Sequence, residues 1–195
     1  MINDENLLPA VCFIKKTKGD RFMNKKIMYI ITILSTAVLL FLDQIAKYLA
    51  VLHLKGQAAI PIIKNVFELQ YLENQGAAFG IMQGKKTFFV IGTLIFLVIV
   101  VILYHNIPLS KRFTPIRIVA VLIVAGAIGN MIDRVVHQYV IDFFYFKLIN
   151  FPIFNVADIY VVVACILFIL LMLFYYKEEE LGQIFPFMKS KKAEE

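Results

Sequence analysis

Four stretches of the chain, 27–42, 88–104, 116–132 and 156–176, are apolar with few or no charged residues. Each is long enough, with help from its flanks, to cross a hydrocarbon core about 30 Å thick as a helix. The pattern predicts an all-α membrane protein, a bundle of four transmembrane helices with two long polar loops, 52–86 and 137–153. In the first loop Phe67, Leu69 and Tyr71 alternate with Glu68, Gln70 and Leu72, which predicts a short strand. Asn74-Gln75-Gly76 then predicts a turn. In the third apolar run Ala125 and Gly129, with Gly126 beside them, have the small-xxx-small spacing that lets helices approach closely in lipid. The first run follows a basic stretch, as a signal peptide would. It leads into Phe41-Leu42-Asp43-Gln44, however, and not into a small-residue cleavage site, so a retained helix is expected.

Composition agrees with the membrane reading. The chain is 61% hydrophobic and only 17% charged, with mean hydropathy +0.78, whereas soluble domains carry about 25% charged residues. The net charge of +6 suggests nucleic acid at first sight. Its distribution argues otherwise, because Lys and Arg accumulate in the cytoplasmic segments of membrane proteins. Lys15, Lys16, Lys18, Arg21, Lys25 and Lys26 precede the first run, Lys111, Arg112 and Arg117 lie between the second and third, and Lys177, Lys189, Lys191 and Lys192 follow the fourth. Both termini are therefore expected in the cytoplasm and both long loops outside. The expected organisation is a polar basic tail over 1–22, poorly ordered and followed by a possible start at Met23, a membrane domain over 23–176, and a charged, solvated cytoplasmic tail over 177–195. Cys12 in the tail and Cys165 deep in the last run should not meet, so no disulfide is expected.

The polar residues inside this map are unevenly placed. Asp43 lies about 24 Å along the first helix at 1.5 Å per residue, close to the outer surface. Asn130, Asp133 and Arg134 occupy the outer end of the third helix, Asp142 the second outer loop, Asn155 and Asp158 the outer start of the fourth helix, and Asn74 the same side before the second. Ionisable groups at membrane depth are costly and usually functional, so this edge is a candidate site.

Structural readings compete at several positions. Asp43 and Lys47, four apart, suit a simple helical ion pair. Asp133 beside Arg134 suits a local one, although the planar Arg134 donors equally suit peptide carbonyls or a lipid phosphate. Asn155 followed by Asp158 has the form of a capping box. Asp142 sits between Val140-Ile141 and Phe143-Phe144, an apolar flank that would dock the loop on the membrane. Two carboxylates sharing one site do not both ionise easily. One then takes a proton from water while the other donates to a carbonyl.

The alternatives fit less well. His53, His105 and His137 lack ligand-like spacing, so no metal site is expected. Ser35, Ser110 and Cys165 have no base beside them at the outer edge. A small proton-coupled transporter relaying through an Asp pair is the rival function, yet such proteins place sites near the midplane and repeat their helical halves. An assembly factor whose acids only cap and pair is a second rival.

Four blocks carry a family resemblance. They are Asp43-Gln44-Ile45-Ala46-Lys47; Asn74-Gln75-Gly76-Ala77-Ala78-Phe79; Gly129-Asn130-Met131-Ile132-Asp133-Arg134 running on to Val140-Ile141-Asp142-Phe143; and Phe151-Pro152-Ile153-Phe154-Asn155-Val156-Ala157-Asp158. In this order the chain resembles the lipoprotein signal peptidases, or signal peptidase II, over roughly 27–176. Ala46 departs from the family, which usually has Ser or Thr there. The resemblance implies an aspartic endopeptidase of the bacterial inner membrane that removes signal peptides from diacylglyceryl-modified prolipoproteins, cutting on the amino side of the lipidated cysteine. It implies Asp142 and Asp158 as the catalytic dyad and Asn74, Asn130 and Arg134 as holders of the substrate main chain. Asp43, Lys47, Gly76, Asp133 and Asn155 would support the site. No cofactor or metal is implied, and a small extracytoplasmic strand region is. The expected partners are the prolipoprotein and membrane lipids around a monomer, with no nucleic acid.

Overall fold

Asn24 starts the first helix by accepting a hydrogen bond from the Lys26 backbone N–H at 2.9 Å. From there α1 runs without a break over Lys25–Leu54, well past the end of the apolar run, so Asp43 and Lys47 are interior to it. The computed structural model describes residues 24–76 and 84–185. The expected N-terminal tail with Cys12 and Met23, the Ala77-Ala78-Phe79 part of the second block, and the lysines at 189, 191 and 192 lie outside the described residues.

Helix α2 spans Lys86–Asn106 and buries none of its residues. A helix apolar all round and exposed all round is suited to lipid, not water. A short 3₁₀ turn, Lys111–Phe113, leads into α3, Thr114–His137, which has Pro115 in its first turn, where the missing N–H costs nothing. Helix α4, Val156–Leu170, continues through one wider π turn, Leu171–Tyr175. Among the described residues these are the four helices long and apolar enough to span a membrane.

Helix α3 is central and packs on α1, α2 and α4. The small residues read from the sequence make that possible. A Cβ built on Gly126 would lie 2.6 Å from the Ala157 carbonyl oxygen and 2.7 Å from Val161 Cγ2 of α4. One on Gly129 would lie 2.6 Å from Asp43 Oδ2. Close packing here brings a carboxylate against a helix backbone.

The two long loops fold into one antiparallel sheet in the order β1-β2-β3, with β1 at Ile60–Ile63, β2 at Phe67–Asn74 and β3 at Val140–Tyr145. The alternation at 67–72 does form a strand. Asp142, expected in a loop, is on β3 instead, facing Leu72 in the β2 register. The apolar flank that was expected to dock on the membrane packs inward, with Val140, Ile141 and Phe143 buried. The chain after β3 folds back onto it. The Phe154 carbonyl accepts from the Phe143 and Phe144 N–H groups at 3.0 and 2.8 Å, and the Phe154 N–H donates to Phe144 at 3.0 Å. That bridge places the start of α4 beside Asp142.

The segment after Lys177, expected to be solvated, is partly folded. Helix α5, Glu178–Ile184, buries Leu181 and Ile184 against Ile107, Phe113 and Ile116. Arg112 Nε holds Glu180 at 3.0 Å. Tyr29 bonds His105 Nδ1 at 3.0 Å. The start of α1, the end of α2, the start of α3 and α5 thus gather at the end of the bundle away from the sheet.

Candidate active site

Every candidate side chain lies at the sheet end of the bundle, in two layers. The deep layer is Asp43, Lys47 and Asp133, all buried. The Lys47 ammonium has three protons and three acceptors, Asp43 Oδ2, Asp133 Oδ2 and Asn130 Oδ1, each at 2.9 Å. The Asp43–Lys47 pair expected from the sequence therefore exists but is shared. The other oxygen of Asp43 accepts from the Ala157 backbone N–H at 2.9 Å. This is the first turn of α4, where unpaired N–H groups and the helix dipole favour an anion. Asp133 reaches sideways instead, with Oδ2 accepting from the Ile141 N–H at 3.2 Å and so fixing β3 one residue before Asp142.

The upper layer faces a cavity of about 630 Å³ whose walls include Asn74, Asn130, Arg134, Asp142 and Asp158, with apolar residues of α3, α4 and the Phe151–Phe154 segment. Asn155 links the two acids. Its backbone N–H donates to Asp158 Oδ2 at 3.1 Å, its Oδ1 accepts from the Asp158 N–H at 3.0 Å, and its Nδ2 donates to Asp142 Oδ1 at 2.6 Å. The capping box is real, and the same residue also bonds Asp142. The second Asp158 oxygen accepts from Asn130 Nδ2 at 2.8 Å, and the second Asp142 oxygen from Asn74 Nδ2 at 2.9 Å. Burial, and next the charge of Asp158, push the Asp142 carboxyl up to about 7, against the opposing pull of its Asn74 and Asn155 hydrogen bonds.

Asp133 and Arg134 do not form the local ion pair that their adjacency suggested. The Arg134 guanidinium donates to the Asn130 carbonyl at 3.3 Å and the Gly76 carbonyl at 3.1 Å, and lies 4.8 Å from the centre of the Phe89 ring. Gly76 in turn donates its N–H to Asn74 Oδ1 at 2.9 Å, closing the turn after β2. All the sequence-derived site residues thus meet in one network. Among the described residues no three His, Cys, Asp or Glu side chains gather as a metal would need.

The family model described as signal peptidase (SPase) II matches residues 35–174. The chain belongs to the signal peptidase II family. The lipoprotein signal peptidase of Caldanaerobacter subterraneus subsp. tengcongensis is 44% identical over 136 residues, covering 69% of this chain and 90% of that protein. That of Clostridioides difficile strain 630 is 42% identical over 141 residues, covering 71% and 90%. A bacterial membrane enzyme solved by the in meso method at 1.9 Å superposes with a TM-score of 0.64 at 33% identity, covering 74% of this chain and 94% of that one.

The chain is a bacterial membrane protease that removes signal peptides from prolipoproteins. The rival transporter reading finds no support among these relatives. Sequence reasoning assigned no role to Gln44, which the structure places inside the deep layer. Its amide donates to Asp133 Oδ1 at 3.1 Å and Asp43 Oδ2 at 3.2 Å. The available signal was its position between Asp43 and Lys47, one helical turn from Lys47. Phe154 acts through its backbone, which residue type does not reveal.

Proposed function

We propose that Asp142 and Asp158 are the catalytic dyad of an aspartic endopeptidase that cuts on the amino side of a diacylglyceryl-modified cysteine. The observation that carries this reading is Asn155, which bonds both carboxyls at once and turns them into one cavity. The pair holds a single proton, because two neighbouring carboxylates resist double ionisation. The ionised member takes a proton from water as the water oxygen bonds to the scissile carbonyl carbon, and the protonated member donates to the carbonyl oxygen. The tetrahedral intermediate then collapses, the C–N bond breaks, and the departing nitrogen receives a proton from the dyad.

Asn74, Asn130 and Arg134 stand at the cavity wall to hold the substrate main chain, and the apolar remainder suits the signal helix and the two acyl chains. The distribution of Lys and Arg supports both termini in the cytoplasm and the site at the outer face. The purified monomer should convert a diacylglyceryl prolipoprotein to its shorter mature form on a gel with chelator present. It should leave the unmodified precursor uncut. Equal cutting of the unmodified precursor, or loss of activity on chelation, would overturn this reading.

A further inference from the structure

The opposite end of the bundle holds a second polar cavity, of about 240 Å³, between the ends of α1, α2 and α3. Lys25, His105 and Arg117 line it together with the hydroxyl-bearing rings of Tyr29 and Tyr104, and among the described residues no carboxylate does. Arg117 is only 5% exposed. Its terminal nitrogens donate to the carbonyls of Phe113, Ile107 and Pro108 at 3.1, 3.0 and 2.8 Å. Its Nε has no hydrogen-bond partner, and among the described residues the guanidinium's hydrogen bonds go to backbone carbonyls. A buried cation with only neutral partners is costly, and an anion offsets that cost.

Two apolar grooves open from this cavity. One, of about 620 Å³ between α1 and α3, shares Met28 and Arg117 with it, and the other, of about 420 Å³, shares Tyr29, Tyr104 and His105. They flank the α1–α3 contact, both meeting Thr32 and Val121, and reach as far as Leu39 and Leu40. That run is about 17 Å of helix, close to the depth of one leaflet in a core of about 30 Å. The shape is one head lined by basic side chains between two chain-length troughs.

We infer that this is a binding site for one anionic glycerophospholipid, its phosphate among Lys25, His105 and Arg117 and its acyl chains in the grooves either side of α1. The site is distinct from the Asp142–Asp158 cavity and does not rest on the peptidase mechanism. Full-length protein, stripped of lipid in detergent, is titrated with phosphatidylglycerol, phosphatidylcholine or glycerol 3-phosphate, and bound molecules are counted by native mass spectrometry. One phosphatidylglycerol should be retained, in preference to phosphatidylcholine and undisplaced by glycerol 3-phosphate. Lys25→Gln should weaken it about fivefold, the effect of one surface charge near a phosphate, and added His105→Gln should weaken it further. Lys111→Gln, at the same end but outside the cavity, should not. Arg117 also holds the turn before α3, so the exposed Lys25 and His105 carry the test. Equal retention of phosphatidylcholine would reduce the site to apolar grooves. Displacement by glycerol 3-phosphate would make it a free-phosphate site, and an equal loss in Lys111→Gln would make it diffuse surface charge. Each result overturns the proposal.

Discussion

Lys47 stands behind both acids of the cavity, one link from Asp158 and two from Asp142. It reaches Asp158 through Asn130, and Asp142 through Asp133 and the Ile141 N–H. Removing one partner from a buried charge cluster typically costs about 3–5 kcal/mol, because the remaining charges stay buried without compensation. Lys47→Met, which leaves Asp43 and Asp133 facing each other, should therefore lower the thermal midpoint in detergent sharply. An unchanged midpoint would mean that the cluster contributes little to the fold. The sequence made the Asp43–Lys47 pair visible because four residues is one helical turn. It misled at Asp133 and Arg134, since consecutive helical residues point away from each other. The pH dependence also belongs to this scale. The Asp142 proton, held up to about 7 by burial and by Asp158, is lost as pH rises through that value. The proposed dyad then lacks the proton that Asp142 would donate. Turnover should accordingly fall on the alkaline side with an apparent midpoint near 7. The folded chain also binds this proton more tightly than the unfolded one, so the associated stabilisation is complete below the ordinary value of 3.8 and lost as pH rises through about 7. A profile flat from pH 5 to 9 would remove Asp142 from the proton bookkeeping.

At the scale of elements, the site depends on how closely α4 lies on α3. Gly126 faces the Ala157 carbonyl of the α4 backbone as well as the branched Val161 side chain, and the backbone cannot move aside without shifting α4. Gly126→Ala should cost about 1–3 kcal/mol by overpacking and should lower turnover, since α4 carries Asp158. Gly92→Ala on α2, where nothing lies within 4 Å, is the control and should be neutral or slightly stabilising. If both variants behaved alike, the α3–α4 contact would not set the position of the acid. The helices were legible because a lipid environment demands long apolar runs. The strands were less so. β2 showed its alternation, but β3 is buried at four successive positions, Val140, Ile141, Asp142 and Phe143, and has no period of two to read. β1 is four residues long and contains Pro61. In α5 the apolar Leu181 and Ile184 are one turn apart in a segment that opens with three glutamates, and a count of charge conceals them.

For the whole molecule, the bundle provides an apolar cavity and the sheet closes one end of it. Neither part alone brings Asp142 to Asp158, because β3 belongs to the sheet and α4 to the bundle, joined at Phe154. A reporter fused after Glu195 should be cytoplasmic and one inserted at Lys64 should be exported; the reverse result would turn the site inward and contradict the orientation proposed here. In the proposed mechanism the two acids act as one unit on one water. Asp142→Asn and Asp158→Asn each keep a carbonyl oxygen able to accept a hydrogen bond, so both variants should fold and insert as the parent does. Loss of a positioned acid or base typically costs about 10²–10⁴-fold in rate, and groups that act as a unit are not additive. The deciding measurement is the cleavage rate of a diacylglyceryl prolipoprotein by each single variant and the double variant, in membranes where all are inserted equally. Each single variant should lose at least about a hundredfold, and the double variant should be little worse. Cleavage by Asp142→Asn at near the parent rate would contradict the aspartic mechanism.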